Sequence, residues 1–463
     1  MKAWIRNVGT VRRRRALAAG LLGAVLPLAA CGGGGGDDDR GADRTVRTDT
    51  TCDGRIEGTE HLTVWFHAGP SGEFSTLQKQ VADFNKAQKR VRVELVTLPE
   101  QKPYNELVDS AAASGDLPDL LDFDGPRLYS YAWSGKLKPI DSCVPASLRD
   151  DLLTSIRQQG TYAGKLYGVG TFDSGLGLYV RPSVLKKAGI RIPEGVEDAW
   201  TSDEFTDVLR TLREAGHRTP LDMGLLYARP GEEWATYGFA PAVWSAGGDL
   251  IEPRTFRTAD GFLNGPEAVK ALTVMRSWVK EGLVEPGRTD DQAFSEGRAV
   301  ISWTGHWWYP DYSKAHPGDV AIVPLPDFGE GTVTGMGSWQ WGVTSGTADG
   351  DAVWRFLAYL LRTDQVDRMT GANGAIPATH SAVKLSPAYA TGGAEHLFIE
   401  QLTGGVARPR PQTPAYPAIT EAFSRAFTEI VKNGAPVKAT LDEAVAAIDK
   451  DLAAHDGYPR QGP

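Results

Sequence analysis

The stretch His61-Leu62-Thr63-Val64-Trp65-Phe66-His67 alternates apolar and polar residues and is rich in β-formers, so it reads as a strand. Gly69-Pro70-Ser71-Gly72 turns the chain, and Phe74, Leu77, Val81 and Phe84 then recur at helical spacing. Val91 to Val96 is a second strand, Tyr104 to Ala113 a second helix ending at Ser114-Gly115, and Leu120 to Asp124 a third strand. Strand, helix, strand, helix, strand predicts an α/β sheet with parallel pairing. Such sheets bind ligands at the carboxyl ends of their strands, which places His67, Asp122 and Asp124 at the ligand edge.

Working outward, Leu166 to Val169 and Leu176 to Val180 are strand-like and flank Phe172-Asp173-Ser174. Thr201 and Glu204 have capping-box spacing ahead of a helix with Phe205, Val208, Leu209 and Leu212. Pro266 suits the first position of a helix carrying Val269, Leu272, Met275, Trp278 and Val279. Ala299 to Ser302 reads as a strand, followed by the dense aromatic run Trp303-Thr304-Gly305-His306-Trp307-Trp308-Tyr309. Rings beyond a strand end suit a cleft rim, with flat faces for sugar rings; the plainer reading makes most of them core. Strands at Val320 to Val323 and Trp341 to Val343 follow, then helices with Val353, Trp354, Leu357 and Leu360, with Ile419, Phe423, Phe427 and Ile430, and a last one starting at Thr440 with Glu443 in capping-box spacing. Trp278 and Trp354 sit on apolar helix faces and are expected in the core.

The chain has 463 residues, 41% hydrophobic and 23% charged, enough for two or three domains of globular composition. Its 13 Trp lean toward aromatic ligand contacts. Net charge is -9; residues 1–30 hold six Lys/Arg and no acid, leaving 43 against 58, or -15. That excess of acid argues against nucleic acid or an anionic membrane surface as partner. The eight His are scattered without metal-ligand spacing, and no G-x-S-x-G, H-E-x-x-H or C-x-x-C occurs, so no metal, cofactor or catalytic group is expected.

Residues 1–30 read as a signal peptide: a basic start through Arg15, then an apolar Ala16 to Ala30 too short to span a bilayer comfortably. Leu28-Ala29-Ala30-Cys31-Gly32 resembles the lipobox of bacterial lipoproteins, with Cys31 the lipidated residue. Arg13 to Leu17 loosely fits a twin-arginine signal, and an ordinary Arg-rich start fits equally. Residues 31–60 carry five glycines in a row and few aliphatics, and read as a flexible tether that holds the protein by a lipid on the outer face of a membrane. With Cys31 lipidated, Cys52 and Cys143 remain in an oxidising setting and are expected to pair, the alternative being two free thiols.

The order of motifs resembles the extracellular solute-binding proteins of ABC importers, and most of all the carbohydrate-binding group that includes maltose-binding protein. The likeness covers about residues 61–455. It is carried by Gly115-Asp116-Leu117-Pro118-Asp119, Ser134-Gly135-Lys136-Leu137-Lys138-Pro139-Ile140-Asp141, Lys165-Leu166-Tyr167-Gly168-Val169, Gly177-Leu178-Tyr179-Val180, Phe294-Ser295-Glu296-Gly297-Arg298-Ala299-Val300-Ile301, Val323-Pro324-Leu325-Pro326 and Gly374-Ala375-Ile376-Pro377. It implies a two-lobe, type II periplasmic-binding-protein-like α/β fold with a ligand cleft between hinged lobes. Lobe one would be 61–171 plus 327–385, and lobe two 172–326 plus 386–455. It also implies a monomer that captures a sugar and presents it to membrane permease subunits.

On that reading the candidate ligand residues are His67, Asp122 and Asp124 from lobe one, Asp173 near the crossing, and Trp244, Trp303, His306 and Trp307 from lobe two. Trp339 and Trp341 lie near the second crossing, and alternation puts both on one strand face, so either both reach ligand or both pack. Tyr416, in Pro414-Ala415-Tyr416-Pro417, matches the family's C-terminal cleft aromatic. Trp308 and Tyr309 are expected to turn back into lobe two. A non-sugar solute (a polyamine or a glycerol phosphodiester) and a surface glycoside hydrolase are the alternatives; an acidic cleft with few rings would point to a polyamine.

Overall fold

The computed structural model describes residue 50 and residues 52–459, apart from 68, 70, 71, 97 and 99–103. Cys31 and the signal-like segment lie outside the described residues. Two four-stranded sheets organise the fold. In the first, Glu60–Trp65 lies between Val91–Val96 and Leu120–Asp124 and is parallel to both, as the alternating strands and helices predict. Trp339–Val343 returns antiparallel on the outer side of Leu120–Asp124, setting Trp339 opposite Asp124 and Trp341 opposite Asp122. The helices Glu73–Ala87 and Tyr104–Ser114 make the crossovers; Leu77, Val81 and Phe84 of the former are buried against the sheet. The chain thus brings the carboxyl end of Leu120–Asp124 and the start of Trp339–Val343 to the same edge.

The second sheet runs Ala321–Val323, Leu176–Val180, Ile301–Gly305, Leu221–Asp222. Helices Ser202–Glu214, Trp234–Ser245, Pro266–Lys280, Tyr416–Phe427 and Val437–Ala454 surround its core. Trp278 is fully buried there, whereas Trp354 is partly buried against the first sheet's core. Between the sheets, Phe172–Asp173 pairs with Ile376–Pro377, and Thr334–Met336 with Ala407–Pro409.

Local signals fared unevenly. Thr201 caps its helix, its side chain accepting from the Glu204 N–H at 3.1 Å. The Thr440 cap does not exist: the helix begins at Val437, so Thr440 is interior and its hydroxyl donates to the Pro436 carbonyl at 2.8 Å. A Pro just before a helix start fixes φ without sacrificing a helical N–H, which lets the helix begin earlier than the Thr suggests. The strand before the aromatic run covers Ile301–Gly305, so Trp303 is part of it. Cys52 and Cys143 are bonded. Beside them, the Asp53 and Gly54 N–H groups donate to Asp351 at 2.9 and 3.0 Å, so the docked part of the chain starts before Glu60.

Candidate functional site

Two adjoining cavities of about 800 and 490 Å³ open between the sheets and share His67, Tyr104, Glu232, Trp234, Trp307 and Trp339 on their walls. From the first sheet's side, His67 sits two residues past its strand, with its ring parallel to that of Trp339 at 3.5 Å between centroids. His67 Nδ1 lies 2.5 Å from Asp122 Oδ2, and Nε2 lies 3.5 Å from Glu73 Oε1. Burial alone would lower the imidazole pKa, but the Asp122 and Glu73 carboxylates outweigh it and raise it. Burial pushes the Asp122 carboxyl up and that of Glu73 to about 7. Asp122 therefore stands behind His67 and fixes its ring instead of facing the cavity, and it is 1% exposed.

Alternation along Trp339–Val343 does put both tryptophans on one face, with different outcomes. Trp339, at the strand start, is half-buried and lines the cleft; Trp341, two residues deeper, stacks on Phe66 at 5.6 Å within the core. Opposite them, His306 and Trp307 follow the Ile301–Gly305 strand. The Trp307 ring lies over Gly305 so closely that a Cβ there would sit 2.1 Å from its Cζ3. Gly305 thus serves the close approach of a ring, and Trp307 continues into the cavity edge-on to Trp234 at 5.9 Å. Buried His306 donates from Nδ1 to the Asn373 carbonyl at 3.0 Å, and burial lowers its pKa to about 4, so it is neutral.

An ion cluster closes the floor. Arg410 donates from Nη1 and Nη2 to the two Asp124 oxygens at 2.7 Å each, and from Nη1 to Glu233 at 2.6 Å. Its guanidinium also lies over the Tyr237 ring at 4.7 Å. Burial opposes the arginine's charge, but Asp124, Tyr416 and Glu233 hold it on, far above its usual pKa. Tyr416 is fully buried and donates to Glu233, so it supports the cluster from behind.

The other candidates lie elsewhere. Asp173 is fully buried at the crossing, accepting from the Ser174 and Gly337 N–H groups at 2.8 and 3.1 Å, and so ties the connecting segments together. Trp303 presents an edge to the second cavity, but its ring is fully buried against Phe239 and its Nε1 donates to the Gly238 carbonyl at 2.9 Å. A residue inside the central strand points into the sheet's core, which the earlier strand end had hidden. Trp244 is buried in its helix, bonds Asp249 at 3.0 Å and lines a separate cavity of about 160 Å³ under Arg408. Trp308 lines the second cavity while stacking on Tyr312 at 5.4 Å.

The sequence reading missed Glu73, Tyr104, Asn105, Glu232, Glu233, Trp234, Tyr237 and Arg410. A signal existed for some: Glu232-Glu233-Trp234 joins two acids to a Trp at the start of a helix without charged residues, and Arg408-Pro409-Arg410-Pro411 places two cations just ahead of Tyr416. Five cleft residues carry a buried polar atom with no hydrogen-bond partner among the described residues: Glu73 Oε1, Asn105 Oδ1, Ser338 Oγ, Arg410 Nε and Arg288 Nη1.

The family model described as bacterial extracellular solute-binding protein matches residues 79–395. A binding protein of Brucella abortus is 22% identical over 361 residues, covering 74% of this chain and 81% of its own. The multiple sugar-binding protein of Streptococcus mutans is 20% identical over 303 residues, 62% of this chain and 68% of its own. The crystal structure of the cyclic alpha-maltosyl-1,6-maltose binding protein of Arthrobacter globiformis superposes with a TM-score of 0.68 at 23% identity, over 86% of this chain and all of that one. The fold is therefore the two-lobe type II binding-protein fold, with the cleft described above between its lobes.

Proposed function

Because this chain belongs to the bacterial extracellular solute-binding proteins, we propose that it captures a sugar in the cleft and hands it, unaltered, to the permease of an ABC importer. One observation carries the sugar reading. Tyr104, Trp234, Trp307 and Trp339 supply ring faces and edges beside polar atoms that have no hydrogen-bond partner among the described residues, Asn105 Oδ1 and Ser338 Oγ. A sugar offers both complements at once, apolar C–H faces and hydroxyls that donate and accept. A purely apolar ligand would leave those atoms unsatisfied. The sugar-binding names of relatives in Streptococcus mutans and Bacillus subtilis point the same way.

Capture without turnover fits the pairing of three of the carboxylates around the cleft. Asp122 is held by His67, and Asp124 and Glu233 by Arg410. Lobe one is assigned 61–171 plus 327–385 and lobe two 172–326 plus 386–455, with a monomer as the working unit. Cys31 would carry the lipid that keeps the protein on the outer face, and among the described residues no helix is long and apolar enough to cross a membrane. A thermal-shift screen of mono- and oligosaccharides tests the proposal. Stabilisation by a sugar that is recovered intact supports it; release of reducing ends that stops on replacing a cleft carboxylate would favour the hydrolase.

A further inference from the structure

We propose that the ligand carries a protonated amine, and that the smaller arm of the cleft, between Asp222, Tyr227 and Glu232, holds it. The inference rests on the sugar reading above and specifies an amino sugar. Five carboxylates line this arm, against Arg288 and against His67, whose charge is already answered by Asp122 and Glu73 outside those five. Three of the five are answered: Glu233 by Arg410 at 2.6 Å, Asp290 by Arg298 at 2.5 Å, and Asp222 by Arg288 at 4.0 Å. The Glu232 carboxylate makes no hydrogen bond or ion pair with any described residue, and among those residues Asp291 has only the neutral partners Tyr227 and Gln292. Burial raises the Glu232 pKa, and Arg229 and Glu106 act on it from farther off and with opposite effect, so a cation brought beside it answers a partly desolvated carboxylate. Among the described residues, two negative charges thus remain over at the wall of a partly desolvated pocket, where a cation is favoured over a neutral group.

The other surfaces of the arm fit the same ligand. Tyr227 is 44% exposed, with its hydroxyl fixed on Asp291 at 2.8 Å, so its ring stands ready beside the acids. Together with Trp234 and Trp307 it offers π faces to a cation. Arg288 is 8% exposed, lines the arm and has an Nη1 without a partner among the described residues. An unanswered buried donor calls for an oxygen on the ligand, which a polyamine lacks and an amino sugar has. The arm is acidic and also rich in rings, which separates it from a pocket built for a simple polyamine.

The test uses calorimetry on the mature chain with matched triplets of mono- and disaccharides that differ only in bearing a free amine, an N-acetyl or a hydroxyl group, with putrescine and spermidine alongside. For at least one triplet the amine is expected to bind about tenfold or more tighter than its neutral counterparts at low salt. That preference should shrink at high salt and vanish in Glu232→Gln, where the amine and the neutral members of a triplet are expected to bind alike. Neutral members binding as tightly as amines, or an amine preference that survives Glu232→Gln, would overturn this inference and leave sugar capture standing. Binding of putrescine or spermidine alone, or of nothing in the panel, would overturn sugar capture as well.

Discussion

Arg410 grips Asp124, 286 positions earlier in the chain, through two hydrogen bonds of 2.7 Å, and the same guanidinium holds Glu233. Asp124 ends a strand of the first sheet, and Glu233 precedes a helix packed on the second. One buried cation therefore joins both walls of the cleft at its floor.

Breaking this pair from one side leaves uncompensated buried charge. Arg410→Met is expected to lower unfolding free energy by about 3–5 kcal/mol, and Arg410→Met combined with Asp124→Asn by clearly less. Urea denaturation checks both. A double variant no more stable than Arg410→Met would show that the stranded Asp124 carboxylate is not what the single substitution costs.

Trp303 and Trp307 should separate stability from binding. Trp303→Ala removes a fully buried ring and is expected to cost about 3–5 kcal/mol of stability. Trp307→Ala trims a half-buried cleft ring and should weaken sugar binding with a much smaller loss of stability. Similar stability losses in the two variants, with ligand affinity intact in Trp307→Ala, would place both rings in the core.

Gly305→Ala should act through Trp307. The added Cβ falls 2.1 Å from the ring, which must swing away from its present place on the cleft wall. Ligand affinity is expected to drop about as far as in Trp307→Ala, and to drop little further when the two changes are combined. Additive losses would mean that the glycine acts by another route.

Stability should fall as pH rises through neutrality. Glu73 titrates near 7 in the folded chain and near 4.5 when unfolded, so the folded state holds the extra proton between those values and loses stability across that window. The raised His67 pKa acts in the same direction: its contribution is complete below 6.5 and disappears as pH passes the folded value. Thermal unfolding at pH 5.5 and 8.5 measures this, and Glu73→Gln should flatten the difference. An unchanged slope in the variant would exclude Glu73 as its source.

How much of this was legible beforehand follows from the range of each signal. The first sheet could be read because its strands and helices alternate with clean periodicity, and each is set by local residues. The two-fold alternation placed Trp339 and Trp341 on one face, but depth along the strand, which sequence does not carry, decided that only Trp339 reaches the cleft. Trp303 belongs to the core and not the rim because its strand runs to Gly305, three residues past the Ala299 to Ser302 pattern in the sequence. Arg410 was missed for another reason: its partners lie 286 and 177 positions away, and no local pattern announces a charge that will be buried by the fold.

Sugar capture in the cleft is tested most directly by titrating the mature protein with the sugar that stabilises it best, by calorimetry, and analysing the recovered ligand. Saturable one-to-one binding is expected, with the sugar returned intact and affinity reduced in both Trp307→Ala and Trp339→Ala. A sugar that is consumed, or binding that neither substitution affects, would contradict it.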